Sequence, residues 1–203
     1  MLSTLRDNTP ASAVFCGGGE GLDCRAEVTG GDGLRLGWAY EKSGDLPTAR
    51  AEYLKVAEKH PDTETAAEAL YRKAIIDIRE GRWSPADLAL AEALSGGRLD
   101  SRFKASALYW RGIAAVRLDH RSEGAALVKD ALAAGLPLDE QREARLMLAD
   151  FDYENGRVKE ACAEYARLVL EGACDRMSAA KIRSVGRLLS GGEAAAVCAK
   201  ALI

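Results

Sequence analysis

The fold is decided by residues 36–61, which read LGWAYEKSGDLPTARAEYLKVAEKHP. A glycine lies in the middle of this stretch, and the pattern around it recurs at intervals of 37, 38 and 37 residues. The four markers of the pattern are Gly44, Gly81, Asp119 and Gly156. A fixed period in this range is the signature of a repeat array. The sequence therefore predicts four copies of one supersecondary unit.

Three further positions hold the same class of residue in every copy. Seven residues before each marker stands a small residue: Gly37, Ala74, Gly112 and Ala149. Five residues after each marker stands another small residue: Ala49, Ala86, Gly124 and Ala161. Nine residues after each marker stands a large apolar residue: Tyr53, Leu90, Val128 and Tyr165.

This pattern is typical of a helix hairpin. Two antiparallel helices approach most closely where both carry small side chains. The marker ends the first helix because the left-handed backbone conformation is easiest for glycine and tolerable for aspartate. A single hairpin buries too little surface, so stacked neighbours must complete the core. We therefore expect the small residues to be buried and the large residue to fill the space towards the next hairpin.

Helices are predicted near residues 33–43, 46–59, 63–80, 84–94, 100–118, 121–134, 138–155 and 158–171. Residues 1–32 are expected to form an irregular lead-in that contains glycines and cysteines, and residues 33–203 the repeat array. Within the array, repeats are placed near 33–62, 63–99, 100–137 and 138–175, with a degenerate cap at 176–203.

The first unit resembles the tetratricopeptide repeat (TPR) family. Leu36-Gly37-Trp38-Ala39-Tyr40, followed by Gly44, Ala49, Tyr53 and Pro61, reproduces the family order L-G-x-x-Y…G…A…F…P. The resemblance spans roughly residues 33–171, although the later units lose the aromatic residue and have Asp77, Ala115 and Asp152 in its place. It implies an all-α fold, a right-handed α-α superhelix of about four to five hairpins. The phrase His60-Pro61-Asp62-Thr63 is also similar to bacterial TPR proteins associated with Tol-Pal and outer-membrane assembly.

The sequence contains no recognisable catalytic or metal-binding constellation. The glycine-rich stretch 17–21 lacks the Lys-Ser/Thr of a phosphate-binding loop. The only two histidines, His60 and His120, both fall at predicted hairpin turns without a paired acid. We therefore predict that the protein is not an enzyme and has no cofactor or metal. The net charge of −3 offers no general attraction to nucleic acid, and the absence of a long apolar run predicts no membrane insertion.

The five cysteines of the chain give an indication of the cellular compartment, through the disulfide bonds that they can form. Cys16 and Cys24 flank a loop that a disulfide closes without strain, and Cys174 and Cys198 allow a second bridge. Cys162 follows the small residue Ala161 and is expected to be a buried thiol. A bridge would favour the periplasm or cell envelope over the cytoplasm, whereas independent reduced thiols would remove that preference. The localisation is thus left open, with the envelope slightly favoured.

The family resemblance implies that the first helices of successive hairpins line a concave groove. The candidate partner-binding residues of this groove are Trp38, Tyr71, Ile75, Arg79, Tyr109, Ile113, Arg117 and Tyr153. We expect Tyr71, Tyr109 and both arginines to be exposed, and the arginines to be available for a carboxylate, while Ile75 and Ile113 suit either groove or core. The predicted function is a non-catalytic scaffold for a peptide or protein partner. The alternative is a structural subunit that self-assembles by stacking through its C-terminal hairpin.

Overall fold

The computed structural model describes residues 29–171, which contain eight α-helices and no β-strand. The helices are α1 (Gly30–Ser43), α2 (Leu46–Lys59), α3 (Glu64–Arg79), α4 (Trp83–Ser95), α5 (Ser101–Arg117), α6 (Arg121–Ala133), α7 (Leu138–Glu154) and α8 (Val158–Leu170). Each odd-numbered helix packs on the even-numbered helix that follows it, and each hairpin packs on the next. The first helices α1, α3, α5 and α7 also contact one another in that order. The predicted all-α array of helix hairpins is confirmed.

The four markers end the first helices as the pattern predicts. Their φ angles are 86° at Gly44, 72° at Gly81, 67° at Asp119 and 77° at Gly156, all in the left-handed region. Asp119 therefore adopts the conformation that glycine supplies in the other three units. The period in the sequence thus follows from one recurring turn.

The small residues of each hairpin are buried, as predicted. Helices α5 and α6 approach closely, since a Cβ built on Gly112 would lie 2.9 Å from the backbone oxygen of Gly124. In the first hairpin the nearest neighbour of such a Cβ on Gly37 is the ring of Tyr53, at 2.5 Å. The glycines therefore make room for a facing backbone in one hairpin and for an aromatic ring in another.

The large residues are also buried, and three of them, Tyr53, Leu90 and Val128, join successive hairpins. Leu90 of α4 belongs to a cluster that includes Leu70 of α3 and Ala107 of α5. Val128 of α6 likewise packs in a cluster with Ala144 of α7. Clusters that span neighbouring hairpins thus supply the core that units too small to fold alone lack.

The helix boundaries agree with the predicted ones except at the start of the array. Helix α1 begins at Gly30, three residues before the expected start, because the Thr29 side chain accepts a hydrogen bond from the backbone N–H of Asp32. The lead-in predicted for residues 1–32 is therefore three residues too long. The rest of that lead-in and the predicted cap at 176–203 lie outside the described residues.

Two units have an ion pair in place of the lost family aromatic, and the pair is buried in the second unit and part-exposed in the fourth. Asp77 is fully buried, and its Oδ2 lies 2.8 Å from Nζ of Lys73 while Arg82 donates to its Oδ1. In the fourth unit, Nε of Arg157 lies 2.9 Å from Oδ1 of Asp152. Both arginines directly follow the marker glycine, so the pattern Asp-x-x-x-Gly-Arg anchors the turn to its own first helix. A buried carboxylate needs such partners because desolvation of an unpaired charge is costly.

Candidate partner-binding groove

One side of the array is defined by side-chain contacts between neighbouring first helices, and we call it the first-helix face. The contacts are Arg79 Nη1 to Glu41 Oε1 at 3.5 Å, Tyr71 to Phe103 with ring centroids 5.1 Å apart, Ser106 Oγ to Glu140 Oε2 at 2.7 Å, and Tyr109 Oη to Glu143 Oε2 at 3.0 Å. They cross from α1 to α3, from α3 to α5 and from α5 to α7. The candidate groove residues of the sequence are carried by these same four helices.

A hollow opens on this face between α1 and α3. Its volume is about 270 Å³, and it is lined by Leu34, Arg35, Trp38, Glu68 and Arg72. The Trp38 side chain is 48% exposed at its wall. Since a tryptophan is a large apolar surface with one polar atom, this is the most pronounced aromatic exposure on the first-helix face of the described chain.

The walls of the hollow are held in place by charged contacts. Nε of Arg72 lies 2.8 Å from Oε1 of Glu68, one helical turn earlier on α3. The Arg72 guanidinium also lies 5.8 Å from the ring centroid of Phe103 on α5. On the other side, Nζ of Lys42 lies 5.5 Å from the ring centroid of Trp38. The hollow thus combines the apolar side chains of Leu34 and Trp38 with the charged side chains of Arg35, Glu68 and Arg72.

The two arginines of the predicted groove are exposed, as expected. Arg79 meets Glu41 only at 3.5 Å. The guanidinium of Arg117 lies 5.3 Å from the ring centroid of Trp83 and forms no ion pair with the residues that the structure describes. Both side chains therefore remain open to an additional anion.

Tyr109 was expected to be exposed, and that expectation is wrong. The side chain is 2% exposed and packs in the cluster of Val128 and Ala144. Its hydroxyl group donates to Glu143 on α7. The reason is that α7 covers this position of α5, a contact between residues 34 apart that the local pattern does not reveal.

The remaining groove candidates take intermediate positions. Tyr71 is half-buried against Phe103, so its expected exposure is only partly met. Ile75 and Ile113 are half-buried as well, and Tyr153 is 39% exposed. The predicted groove residues are thus partly core and partly surface, and the two exposed aromatic side chains among them, Trp38 and Tyr153, lie on the first and the last of the four first helices.

Three buried tyrosines, which we call the core tyrosines, form hydrogen bonds to carboxylates of the first helices. They are Tyr53, Tyr109 and Tyr165, whose hydroxyl groups donate to Glu41, Glu143 and Asp150. Burial and these hydrogen bonds to carboxylates raise the pKa of all three phenols above the ordinary value. The carboxylates hold fixed orientations as a result.

Sequence reasoning missed several functional candidates. It did not place Arg35, Glu68 and Arg72 in the predicted groove, although they form much of the hollow. A usable signal exists, because Arg35 and Arg72 directly follow Leu34 and Tyr71 in equivalent repeat positions.

Cys162 is buried and disulfide-bonded, whereas the sequence predicted a buried free thiol. Burial does not distinguish the two states, because either form of sulfur is apolar enough for the core. Cys162 is the only cysteine among residues 29–171, so its partner lies outside the described residues, as do the predicted pairs Cys16–Cys24 and Cys174–Cys198.

The described part of the chain has neither a cluster of metal-ligand side chains nor a helix suited to cross a membrane. Residues 29–171 contain no group of three or more His, Cys, Asp or Glu side chains that could hold a metal ion. None of the helices within that range combines the length and apolarity that crossing a bilayer requires.

A family model described as "Tetratricopeptide repeat" matches residues 33–63. Among solved structures, the chain is similar to the N-terminal domain of stress-induced protein-1 (STI-1) from C. elegans, with 19% identity, a TM-score of 0.50, and coverage of 58% of this chain and 93% of that one. It is also similar to PilF of Pseudomonas aeruginosa, with 14% identity, a TM-score of 0.55, and coverage of 85% and 88%. At these identities the similarity shows the fold alone.

No curated protein matches this chain. The finer resemblance to Tol-Pal-associated and outer-membrane-assembly factors stays a prediction. The helix bounds, the left-handed markers and the buried small residues nevertheless agree with the family match to the first unit. Residues 33–63 therefore match the tetratricopeptide repeat, whose domains generally mediate protein–protein interaction, and the described chain has the fold of a TPR-like array of helix hairpins.

Proposed function

We propose that this protein is a non-catalytic scaffold that binds a peptide segment of a protein partner on its first-helix face. The observation that carries the proposal is the half-exposed Trp38 beside a hollow of about 270 Å³. Tryptophan and arginine concentrate binding energy at interfaces, and anchors of this kind fill pockets at the centre of the contact. Trp38 with the exposed Arg79 and Arg117 supplies both residue types on one face.

The proposal includes an oxidising compartment, of which the bacterial cell envelope is the one we favour. The disulfide at Cys162 supports it, because disulfides persist in secreted and envelope proteins and are rare in the cytosol. Thiol counting on protein extracted from its native host with rapid alkylation tests this part. Five alkylated thiols would contradict it.

The binding proposal is tested by selecting binders to the full chain from a displayed peptide library and measuring their affinity for two variants. Trp38→Ala should weaken binding by about 2 kcal/mol or more, the loss typical of a hot spot. Leu88→Ala is the matched control, because Leu88 is 68% exposed on the second helix α4 and takes no part in the hollow. Both variants should keep the circular dichroism of the parent because both side chains are exposed.

Two results would count against the scaffold proposal. Equal affinity of both folded variants for the selected peptides would remove the hollow from the binding surface. A library that yields no binder, together with a mass from light scattering that grows with concentration, would favour the self-assembling subunit.

A further inference from the structure

We propose that the chain carries a second binding site, a cavity that takes one leucine-sized aliphatic side chain from a basic segment of a protein partner. The site lies at the first inter-hairpin junction, where the hairpin α3–α4 packs on the hairpin α1–α2, and we call it the junction cavity. It has a volume of about 110 Å³ and is lined in part by the exposed loop 61–63. It shares no lining residue with the hollow at Trp38, so the inference stands apart from the proposed function.

The cavity lies where the first junction lacks a leucine that the next two junctions have. The position thirteen residues after the marker holds Leu94 in the second unit and Leu132 in the third, but Ala57 in the first. Both leucines pack against the core clusters of their junctions, whereas Ala57 lines the cavity. Because alanine is smaller than leucine by an isopropyl group, this exchange leaves space for most of an aliphatic side chain.

A second leucine is missing from the loop of the same junction. The residue directly before the N-cap is Leu99 for α5 and Leu136 for α7, and both are buried in the core. The equivalent residue before α3 is Asp62, which is exposed and has a φ of 61°. An aspartate enters an apolar space only at the cost of its hydration, so Asp62 does not supply the leucine that the other loops provide.

The walls and the size of the cavity suit a single aliphatic side chain. Its apolar walls come from three helices, and they are Ala57 of α2, Ala66, Ala67 and Leu70 of α3, and Ala93 of α4. Pockets that enclose a small-molecule ligand typically measure about 300–1,000 Å³, well above the 110 Å³ found here. The chain itself fills the equivalent places with one leucine presented by a loop. The same solution, supplied by another protein, fits the first junction.

The charges at the rim of the cavity favour a basic neighbour for that leucine. Asp62 and Glu92 stand at the rim together with Arg98, and all three residues are exposed. Neither carboxylate forms an ion pair with the residues that the structure describes. Glu92 also lies in the last turn of α4, which contains no basic residue, so the carbonyl end of the helix adds to the negative potential. Arg98 balances only one of these two carboxylates.

Three blocked heptapeptides, titrated into the full chain and followed by NMR chemical shifts, test the proposal. The first carries lysine, leucine and lysine between pairs of glycines, the second has alanine in place of the leucine, and the third has glutamate in place of both lysines. The first should bind about tenfold more tightly than the second, because an isopropyl group leaves water. It should bind about threefold more tightly than the third, and this difference should shrink in high salt.

A substitution that fills the cavity locates the effect. Ala57→Leu restores the leucine of the other junctions, so it should raise the urea midpoint of the free protein and weaken binding of the leucine peptide about tenfold. Ala51→Leu is the matched control, because it is the same change on the same helix at an exposed residue outside the cavity. It should bind the leucine peptide as the parent does. Circular dichroism checks that both variants are folded.

A second variant tests the rim without altering the walls. Glu92→Gln removes one of the two carboxylates at an exposed position and should keep the fold. It should reduce the preference for lysine over glutamate beside the leucine, while the preference for leucine over alanine stays as in the parent. An unchanged preference for lysine would contradict the basic partner segment.

The remaining outcomes would overturn the site. Equal affinity of the leucine and alanine peptides would do so, as would equal affinity of Ala57→Leu and Ala51→Leu for the leucine peptide. A parent that binds no peptide, with a lowered urea midpoint in Ala57→Leu, would mean that another part of the chain already fills the cavity. A mass from light scattering that grows with concentration in the parent but not in Ala57→Leu would assign the cavity to a second copy of this chain.

The test is independent of the scaffold proposal. Trp38→Ala should leave the affinity for the leucine peptide unchanged, because Trp38 takes no part in the junction cavity. Loss of leucine-peptide binding in that variant would place the peptide in the hollow and overturn the inference. Library binders that depend on Trp38 and are unaffected by Ala57→Leu would support the proposed function whatever the fate of the junction cavity.

Discussion

Replacing Gly124 by alanine should destabilise the protein, although alanine is the better helix former. Gly124 lies in the second helix α6 of its hairpin, where it faces the backbone of α5. A Cβ built there would lie 2.6 Å from Cγ2 of Val116 and 2.7 Å from the backbone oxygen of Gly112. The first neighbour can rotate away, but the second is backbone and moves only if the two helices separate.

The magnitude follows from two opposing effects. An added methyl group in a well-packed core typically costs about 1–3 kcal/mol. Replacing glycine by alanine within a helix stabilises the folded state by about 0.5–1 kcal/mol. We therefore expect a net loss of about 1–2 kcal/mol in the free energy of unfolding. The second hairpin has two alanines in the equivalent place, Ala74 and Ala86, both fully buried. The cost at Gly124 therefore comes from its own contact with the Gly112 backbone.

Urea denaturation followed by circular dichroism measures this loss. Gly31→Ala is the matched control, because Gly31 is exposed in α1 and a Cβ there meets only the Thr29 side chain, at 3.8 Å. That variant should gain a few tenths of a kcal/mol from helix propensity alone. The two substitutions should thus differ in sign. A Gly124→Ala protein as stable as the parent would refute the close backbone contact between α5 and α6.

Three further predictions concern the buried polar groups. Asp77→Ala should lower the free energy of unfolding by about 3 kcal/mol, because it leaves Lys73 without its buried partner. Asp152→Ala removes a more exposed ion pair and should lower it by about 1 kcal/mol. Equal losses in urea denaturation would contradict this difference in burial between the two ion pairs. The raised pKa of the core tyrosines means that the folded state holds their protons more tightly than the unfolded state does, so the free energy of unfolding should fall as the pH rises above about 10. An ultraviolet titration in which all six tyrosines of the folded protein ionise together near pH 10 would disprove this prediction. Because Cys162 is disulfide-bonded, denatured and unreduced protein should show at most three free thiols of the five cysteines, and a count of five would contradict the bridge.

The sequence was sufficient to predict most of the architecture. Helix bounds, the ends of the first helices and the burial of the small residues depend on local chemistry, which is repeated four times and therefore readable. Asp119 illustrates this, because its place in the period predicted a turn conformation that the residue type alone would not. The start of α1 at Gly30 was missed because a threonine cap before two glycines is a weak signal.

The groove could be predicted only in part, because exposure depends on which helix covers a given side chain. Tyr71 and Tyr109 occupy the same repeat position, yet Tyr71 is half-buried against the Phe103 ring, whereas Tyr109 is covered by α7 and fully buried. The hollow at Trp38 likewise exists only because two helices 34 residues apart meet at that angle. Periodicity along the chain therefore specified the hairpins, while the packing between hairpins determined which side chains remain available to a partner.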